Sequence, residues 1–143
     1  MFFSIIIPLY NRPQEIDELL HTLTKQSYLQ FEVLIIEDGS KIDAKAIVDS
    51  YTDRLDISYY YKENAGQGFA RNYGFERAKG DYFIVFDSDC LIPPNYLETV
   101  KNYLLEHQLD AYGGPDGAHP SFTPVQKAIS YSMTSPFTTG GIR

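Results

Sequence analysis

Asp87-Ser88-Asp89 sets two carboxylates one residue apart, directly after the apolar run Tyr82-Phe83-Ile84-Val85-Phe86. Carboxylate oxygens are hard donors. A pair of them at the end of a strand suits Mg²⁺ or Mn²⁺, ions that keep positions open for phosphate oxygens and water. Taken alone, an Asp-x-Asp triplet is common and is most often a solvated turn. A second acidic cluster, Glu37-Asp38-Gly39-Ser40, follows the apolar run Phe31 to Ile36. Acidic clusters brought to one rim repel unless something positive neutralises them, and a divalent cation is the simplest answer. The plainer reading of Glu37 to Ser40 is a turn with a helix cap.

A third chemical element is Asn64-Ala65-Gly66-Gln67-Gly68-Phe69-Ala70-Arg71-Asn72-Tyr73-Gly74. Its glycines open a helix, and helix N-termini favour anions. Arg71 offers a planar fork for a base carbonyl or a phosphate; read alone, it is a surface arginine on a helix with small packing residues. The segment is not a dinucleotide fingerprint, because no G-x-G-x-x-G turn follows the first strand, and no G-K-[ST] marks a P-loop.

These groups need a scaffold that brings them together. Phe3 to Pro8 reads as a first strand, continuous and β-branched as a strand buried on both faces should be. Ile16, Leu19, Leu20 and Leu23 then recur at helical spacing, with Asn11 or Arg12 in the cap region and Pro13 in the first turn. Phe31 to Ile36 is a second strand, and Ala44, Ile47, Val48 and Tyr51 mark a short helix. Ile57 to Tyr61 is a third strand. Phe69, Ala70 and Tyr73 share one face of a third helix, which Lys79-Gly80 ends with Gly80 as a left-handed cap. Tyr82 to Phe86 is a fourth strand. Pro93-Pro94 starts a fourth helix carrying Leu97, Val100 and Leu104, and Ala111-Tyr112 is a candidate fifth strand. Beyond Gly113-Gly114-Pro115 the pattern loosens, with one helix at roughly Pro124 to Met133.

This rhythm predicts an α/β fold with a mostly parallel sheet and helices on both faces, joined by right-handed crossovers. Ligands of such sheets bind beyond the carboxyl ends of the strands, where the strand order reverses. Pro8-Leu9-Tyr10-Asn11, Glu37 to Ser40 and Asp87 to Asp89 all fall at such ends.

Composition narrows the partners. The 143 residues suit one domain of ordinary size, and twelve tyrosines and nine phenylalanines argue against disorder over most of the chain. The formal net charge of −7 opposes nucleic-acid binding through a basic face. Cys90 is the single cysteine, so no intrachain disulfide forms. Phe2 to Leu9 is too short to span a membrane and lacks the flanks of a signal peptide.

The order of these motifs resembles a family 2 glycosyltransferase of the GT-A fold, a Rossmann-like α/β architecture. Four motifs carry it: Ser4 to Asn11, Ile36 to Ser40, Asn64 to Gly74 and Phe86 to Asp89. The likeness covers roughly Phe3 to Leu105. It implies a nucleotide-diphosphate-sugar donor, most often a UDP-sugar, and inversion by a single displacement. Pro8 and Tyr10 would border the nucleoside. Asp38 would bond the base edge, with Arg71 at the base or its neighbourhood. Asp87 and Ser88 would lie near the ribose and diphosphate, and Asp89 would ligate Mn²⁺ or Mg²⁺. Family members often carry Asp where Glu37 stands, a minor change. A saccharide, lipid-linked or protein acceptor is implied, as is a cytoplasmic location, with membrane contact at its inner face open to the full-length protein.

One departure qualifies the likeness. The family's general base lies well after the Asp-x-Asp motif, in an acidic motif that nothing here matches. Asp110 and Asp116 are the only later aspartates, and Asp116 is expected to border the sugar or acceptor without being the base. The expectation is therefore a fragment, inactive alone: residues 1–114 bind the nucleotide-sugar, 115–143 begin the acceptor-binding segment, and the base falls beyond Arg143. Alternatives are a non-catalytic nucleotide-sugar-binding fragment and a nucleotidyltransferase, which would want a basic glycine-rich loop where Asn11-Arg12-Pro13-Gln14 stands. A receiver-like signalling domain would want a phosphoacceptor aspartate where the third strand ends in Lys62-Glu63.

Overall fold

Every residue of the runs Phe3–Leu9 and Phe31–Asp38 is buried, and only the middle of a sheet covered on both faces gives a strand that environment. The structure, a computed structural model, describes residues 1–107, 109–111, 113 and 117–134. The two runs are β1 (Phe3–Leu9) and β2 (Phe31–Asp38), paired in parallel with Phe3 opposite Phe31 and Leu9 opposite Glu37. β3 (Ile57–Lys62) adds to the outer side of β2, and β4 (Tyr82–Val85) to the free side of β1. The sheet is all-parallel, in the order β3-β2-β1-β4. The chain steps outward from β1 to β3 and returns across β1 to β4, so the order reverses between β1 and β4.

That reversal sorts the helices. Right-handed crossovers put α1 (Pro13–Leu23) and α2 (Lys45–Asp49) on one face and α3 (Gln67–Phe75) on the other. Ile6, Leu34 and Ile36 point to the α3 face and pack with Ala70. α1 buries Ile16, Leu19, Leu20 and Leu23, the stripe its sequence spacing predicts. Tyr51, just past α2, donates its hydroxyl to Asp17 of α1 at 2.6 Å.

Two elements follow the sheet: α4 (Tyr96–His107) and α5 (Pro124–Thr134). The chain divides into two compact units, Met1–Glu106 and His107–Arg143. Among the described residues, no helix is long and apolar enough to cross a membrane.

Several sequence expectations need correction. Gly80 is not a left-handed cap: α3 already ends at Phe75 with Glu76 as a right-handed C-cap, and Gly80 does not have a positive φ. Gly80 is needed because the chain passes close to β1 there. A Cβ would lie 2.5 Å from the Ser4 nitrogen, and the Gly80 N–H donates to the Ser4 hydroxyl at 2.8 Å. β4 stops at Val85, although the Phe86 N–H still donates to Ile6 at 3.2 Å. Of the proposed fifth strand, Ala111 belongs to no strand, and Tyr112 lies outside the described residues, as do Gly114, Pro115 and Asp116.

Candidate functional site

Because all four strands run parallel, their carboxyl ends share one rim. A cleft of about 360 Å³ opens there. Pro8 and Leu9 at the end of β1, with Tyr10 and Arg12 just past it, line one side of the order reversal, and Asp87, Ser88 and Asp89 after β4 line the other. Asp38 from the end of β2 and Asn64, Gly66 and Gln67 from the β3–α3 connection complete the lining. Of the sequence-derived site residues, Pro8, Tyr10, Asp38, Asp87, Ser88 and Asp89 thus meet at one cleft. Arg71 stands behind them, with its guanidinium 3.0 Å from Asp87. The Nε of Arg71 is buried and without a hydrogen-bond partner.

Asp38 is 3% exposed and fully engaged. Lys62, at the end of the neighbouring strand, pairs with its Oδ1. The Ala65 N–H donates to Oδ1 at 3.0 Å, the Gly66 N–H to Oδ2 at 2.8 Å, and the Asn64 amide reaches Oδ2 at 3.4 Å. Burial alone would push this carboxyl up. The Lys62 bond, the two backbone amides and the Lys62 charge outweigh it and hold Asp38 below the ordinary aspartate value of 3.8. The next residue makes the approach possible: Gly39 has φ +72, and a Cβ on it would fall 2.6 Å from the Asn64 nitrogen.

Glu37 points to the opposite face of β2 and is fully buried. It accepts from the Ser40 hydroxyl, the Ala44 N–H at 3.0 Å and the Tyr59 hydroxyl at 3.2 Å. Burial and the Glu37 charge raise the Tyr59 phenol above its ordinary range. Three donors converging on one carboxylate offset the cost of burying it.

Asp87 and Asp89 are more open. The Asp87 carbonyl accepts from the Cys90 N–H at 3.2 Å, which turns the chain right after β4. Gln67 donates to the Asp87 carboxylate at 2.7 Å, from the same Oδ1 side as Arg71. Arg12 pairs with Asp89 at 2.7 Å. The sequence spacing puts Asn11 or Arg12 in the cap region of α1. Arg12 holds the N-cap position, but without a side-chain cap bond. Gln67 and Lys62 join the site beyond the residues that the sequence singles out. Lys62 ends β3 and Gln67 lies in the glycine run Asn64 to Gly74, but their partners lie 24 and 20 positions away, which local spacing does not reveal.

Among the described residues, no group of three or more His, Cys, Asp or Glu side chains could enclose a metal ion. The donor set at Asp87 and Asp89 is two carboxylates beside an open cleft. That suits an ion such as Mg²⁺ or Mn²⁺, which takes one or two carboxylates and completes its shell with phosphate and water. Only Tyr10, Asn11 and Arg12 connect β1 to α1, and this link holds none of the glycines expected of a nucleotidyltransferase loop.

The profile of glycosyl transferase family 2 matches residues 4–139. The chain belongs to glycosyltransferase family 2. Within that family, it is 42% identical over 101 residues to an uncharacterised glycosyltransferase of Rickettsia typhi, covering 71% of this chain and 31% of that protein. The poly(ribitol-phosphate) β-N-acetylglucosaminyltransferase TarS of Staphylococcus aureus is 33% identical over 114 residues, covering 77% of this chain and 20% of TarS. The chain therefore spans a third or less of the length of these relatives. The crystal structure of TarS 1–349 in complex with UDP-GlcNAc superposes with a TM-score of 0.72 at 30% identity, over 81% of this chain and 37% of that one. A mannosyltransferase from Pyrobaculum calidifontis in complex with GDP-Man and Mn²⁺ superposes with a TM-score of 0.60 at 25% identity, over 64% of this chain and 28% of that one. The TarS likeness agrees with the α/β fold described above.

Proposed function

We propose that this chain binds the donor for an inverting glycosyl transfer from a nucleotide-diphosphate sugar, a UDP-sugar, to an acceptor hydroxyl. One observation carries the reading. The ends of β1, β2 and β4 deliver Pro8, Tyr10, Asp38, Asp87, Ser88 and Asp89 to a single cleft at the order reversal of a parallel sheet. Support comes from the similar TarS structure in complex with UDP-GlcNAc and the similar mannosyltransferase structure in complex with GDP-Man and Mn²⁺.

On this reading, Pro8 and the half-exposed Tyr10 border the nucleoside. Asp38 faces the base edge as an ionised acceptor. Three of its contacts are firm, so a base N–H takes the place of the 3.4 Å Asn64 contact on Oδ2. Arg71 and Gln67 hold Asp87 toward the ribose and diphosphate, beside Ser88. Asp89 is the metal ligand. The bound ion supplies charge that stabilises the departing diphosphate. Residues 1–114 form the nucleotide-sugar-binding part, and 115–143 begin the segment facing a saccharide, lipid-linked or protein acceptor.

Thermal shift with UDP, GDP and ATP, each with and without Mn²⁺, tests the reading. A ligand at a hundredfold its Kd stabilises by about 2.7 kcal/mol. UDP with Mn²⁺ is expected to give the largest shift, and the absence of a metal-dependent shift with every diphosphate overturns the reading.

A further inference from the structure

Asn11 is the one described non-glycine residue with a positive φ, 54°. It sits between Tyr10 and Arg12, both of which line the cleft. The left-handed region is sparsely populated by residues with a Cβ, although asparagine tolerates it better than most. Something must therefore select this shape. The Asn11 N–H donates to the Ser40 hydroxyl at 2.7 Å, and the Asn11 side-chain oxygen accepts from the Lys41 N–H at 2.8 Å. Ser40 is only 7% exposed, and its own hydroxyl proton goes to Glu37. Glu37 is in turn fixed by the Ala44 N–H and the Tyr59 hydroxyl. A buried relay thus runs from β3 through Glu37 and Ser40 to the turn after β1.

We infer that Glu37 and Ser40 are positioning residues for the donor site: their relay holds Asn11 left-handed, and so presents Tyr10 and Arg12 to a nucleoside diphosphate. Neither lines the cleft, so both act through Asn11. The direction of the hydrogen bonds matters. A serine hydroxyl has one proton, and Glu37 takes it, so the oxygen is left as an acceptor aimed at the Asn11 N–H. The buried carboxylate thereby sets the orientation of a hydroxyl at the mouth of the site. Without the relay, the turn is free to leave the shape that the cleft needs. The inference rests on the donor-site reading, which supplies the ligand.

The test uses the 143-residue chain and UDP with Mn²⁺ as the probe, by calorimetry well below the unfolding temperature. Ser40→Ala removes the acceptor. If the turn then holds its binding shape one-tenth of the time, apparent affinity falls about tenfold. Ser40→Thr keeps the hydroxyl and is expected to restore affinity. Asn11→Gly separates shape from stability, because glycine adopts a positive φ freely. It keeps the backbone N–H that Ser40 accepts and relieves the positive-φ penalty, so it is expected to bind UDP about as well as the wild type. The exchange rate of the Asn11 amide proton reads the clamp without any ligand, and is expected to rise in Ser40→Ala. Wild-type affinity in a folded Ser40→Ala, or a tenfold loss in Asn11→Gly, overturns the inference while the donor reading stands. A wild-type chain that binds no nucleoside diphosphate overturns the donor reading and this inference with it.

Discussion

Arg12 and Asp89, 77 positions apart, meet as an ion pair at the mouth of the cleft with 2.7 Å between guanidinium and carboxylate. Arg12 thus occupies the very carboxylate assigned to the metal. Both side chains are about half exposed, so solvent screens the pair, and such pairs are worth about 0.2–1 kcal/mol. Metal binding at Asp89 competes against this modest amount. Arg12→Ala is therefore expected to tighten Mn²⁺ binding to the nucleotide-free chain by no more than about fivefold. Electron paramagnetic resonance of free Mn²⁺ measures it. Weaker binding in the variant would show that Arg12 helps to hold the ion.

Asp89→Ala should leave the fold intact and remove the Mn²⁺ dependence of UDP binding. Asp89 lies half exposed on the rim, outside the packed layers, where substitutions usually change stability by less than about 0.5 kcal/mol. Thermal melts of the apo variant and UDP titrations with and without Mn²⁺ read the two halves separately. A Mn²⁺-dependent UDP shift that survives in the variant would remove Asp89 from the metal site.

Asp38 gives a pH signature. Its folded pKa lies below the ordinary value of 3.8, so the stability it contributes is fully present above that value. The contribution is lost as the pH falls through the depressed folded value. Chemical denaturation below about pH 4 should therefore show a loss in the wild type that is smaller in Asp38→Asn. At neutral pH the same variant is expected to cost about 2 kcal/mol, because Lys62 and two backbone amides lose a charged acceptor. Equal acid sensitivity in both chains would refute this account of Asp38.

Gly74 tests how tightly α3 seats on the sheet. A Cβ there would lie 2.5 Å from the Ile6 Cγ2 and 3.4 Å from the Ile36 Cγ1. Both isoleucines are fully buried in central strands and have little room to give way. Gly74→Ala is expected to destabilise by about 1–3 kcal/mol despite the better helix propensity of alanine. Urea denaturation measures it, and a stabilised variant would mean that the α3 packing relaxes easily.

Much of the architecture is legible in the chain. Continuous β-branched runs mark β1 and β2 as central strands, because only burial on both faces removes the need for polar alternation. The stripe Ile16, Leu19, Leu20 and Leu23 marks the buried face of α1. The helix at Pro124 appears where the spacing puts it, as Pro124–Thr134. Gly80 is ambiguous in the sequence because a glycine after a helix has two explanations, a left-handed cap or a close approach of another strand. The second depends on Ser4, which is 76 positions away.

The same division runs through the site. By itself, the sequence determined that Pro8, Asp38 and Asp87 to Asp89 sit at strand ends, because a strand end is a local change from apolar to polar residues. The alternation of strands and helices then required those ends to share a rim. Only the tertiary structure decided the pairings: Lys62 on Asp38, Gln67 and Arg71 on Asp87, Arg12 on Asp89, and Ser40 under Asn11. Each joins groups from different connections, and which side chains meet depends on strand order, register and the path of the turns. Hydrophobic period reports which face is buried, but it carries no information about which cation on a neighbouring strand end lies within 3 Å of a given carboxylate.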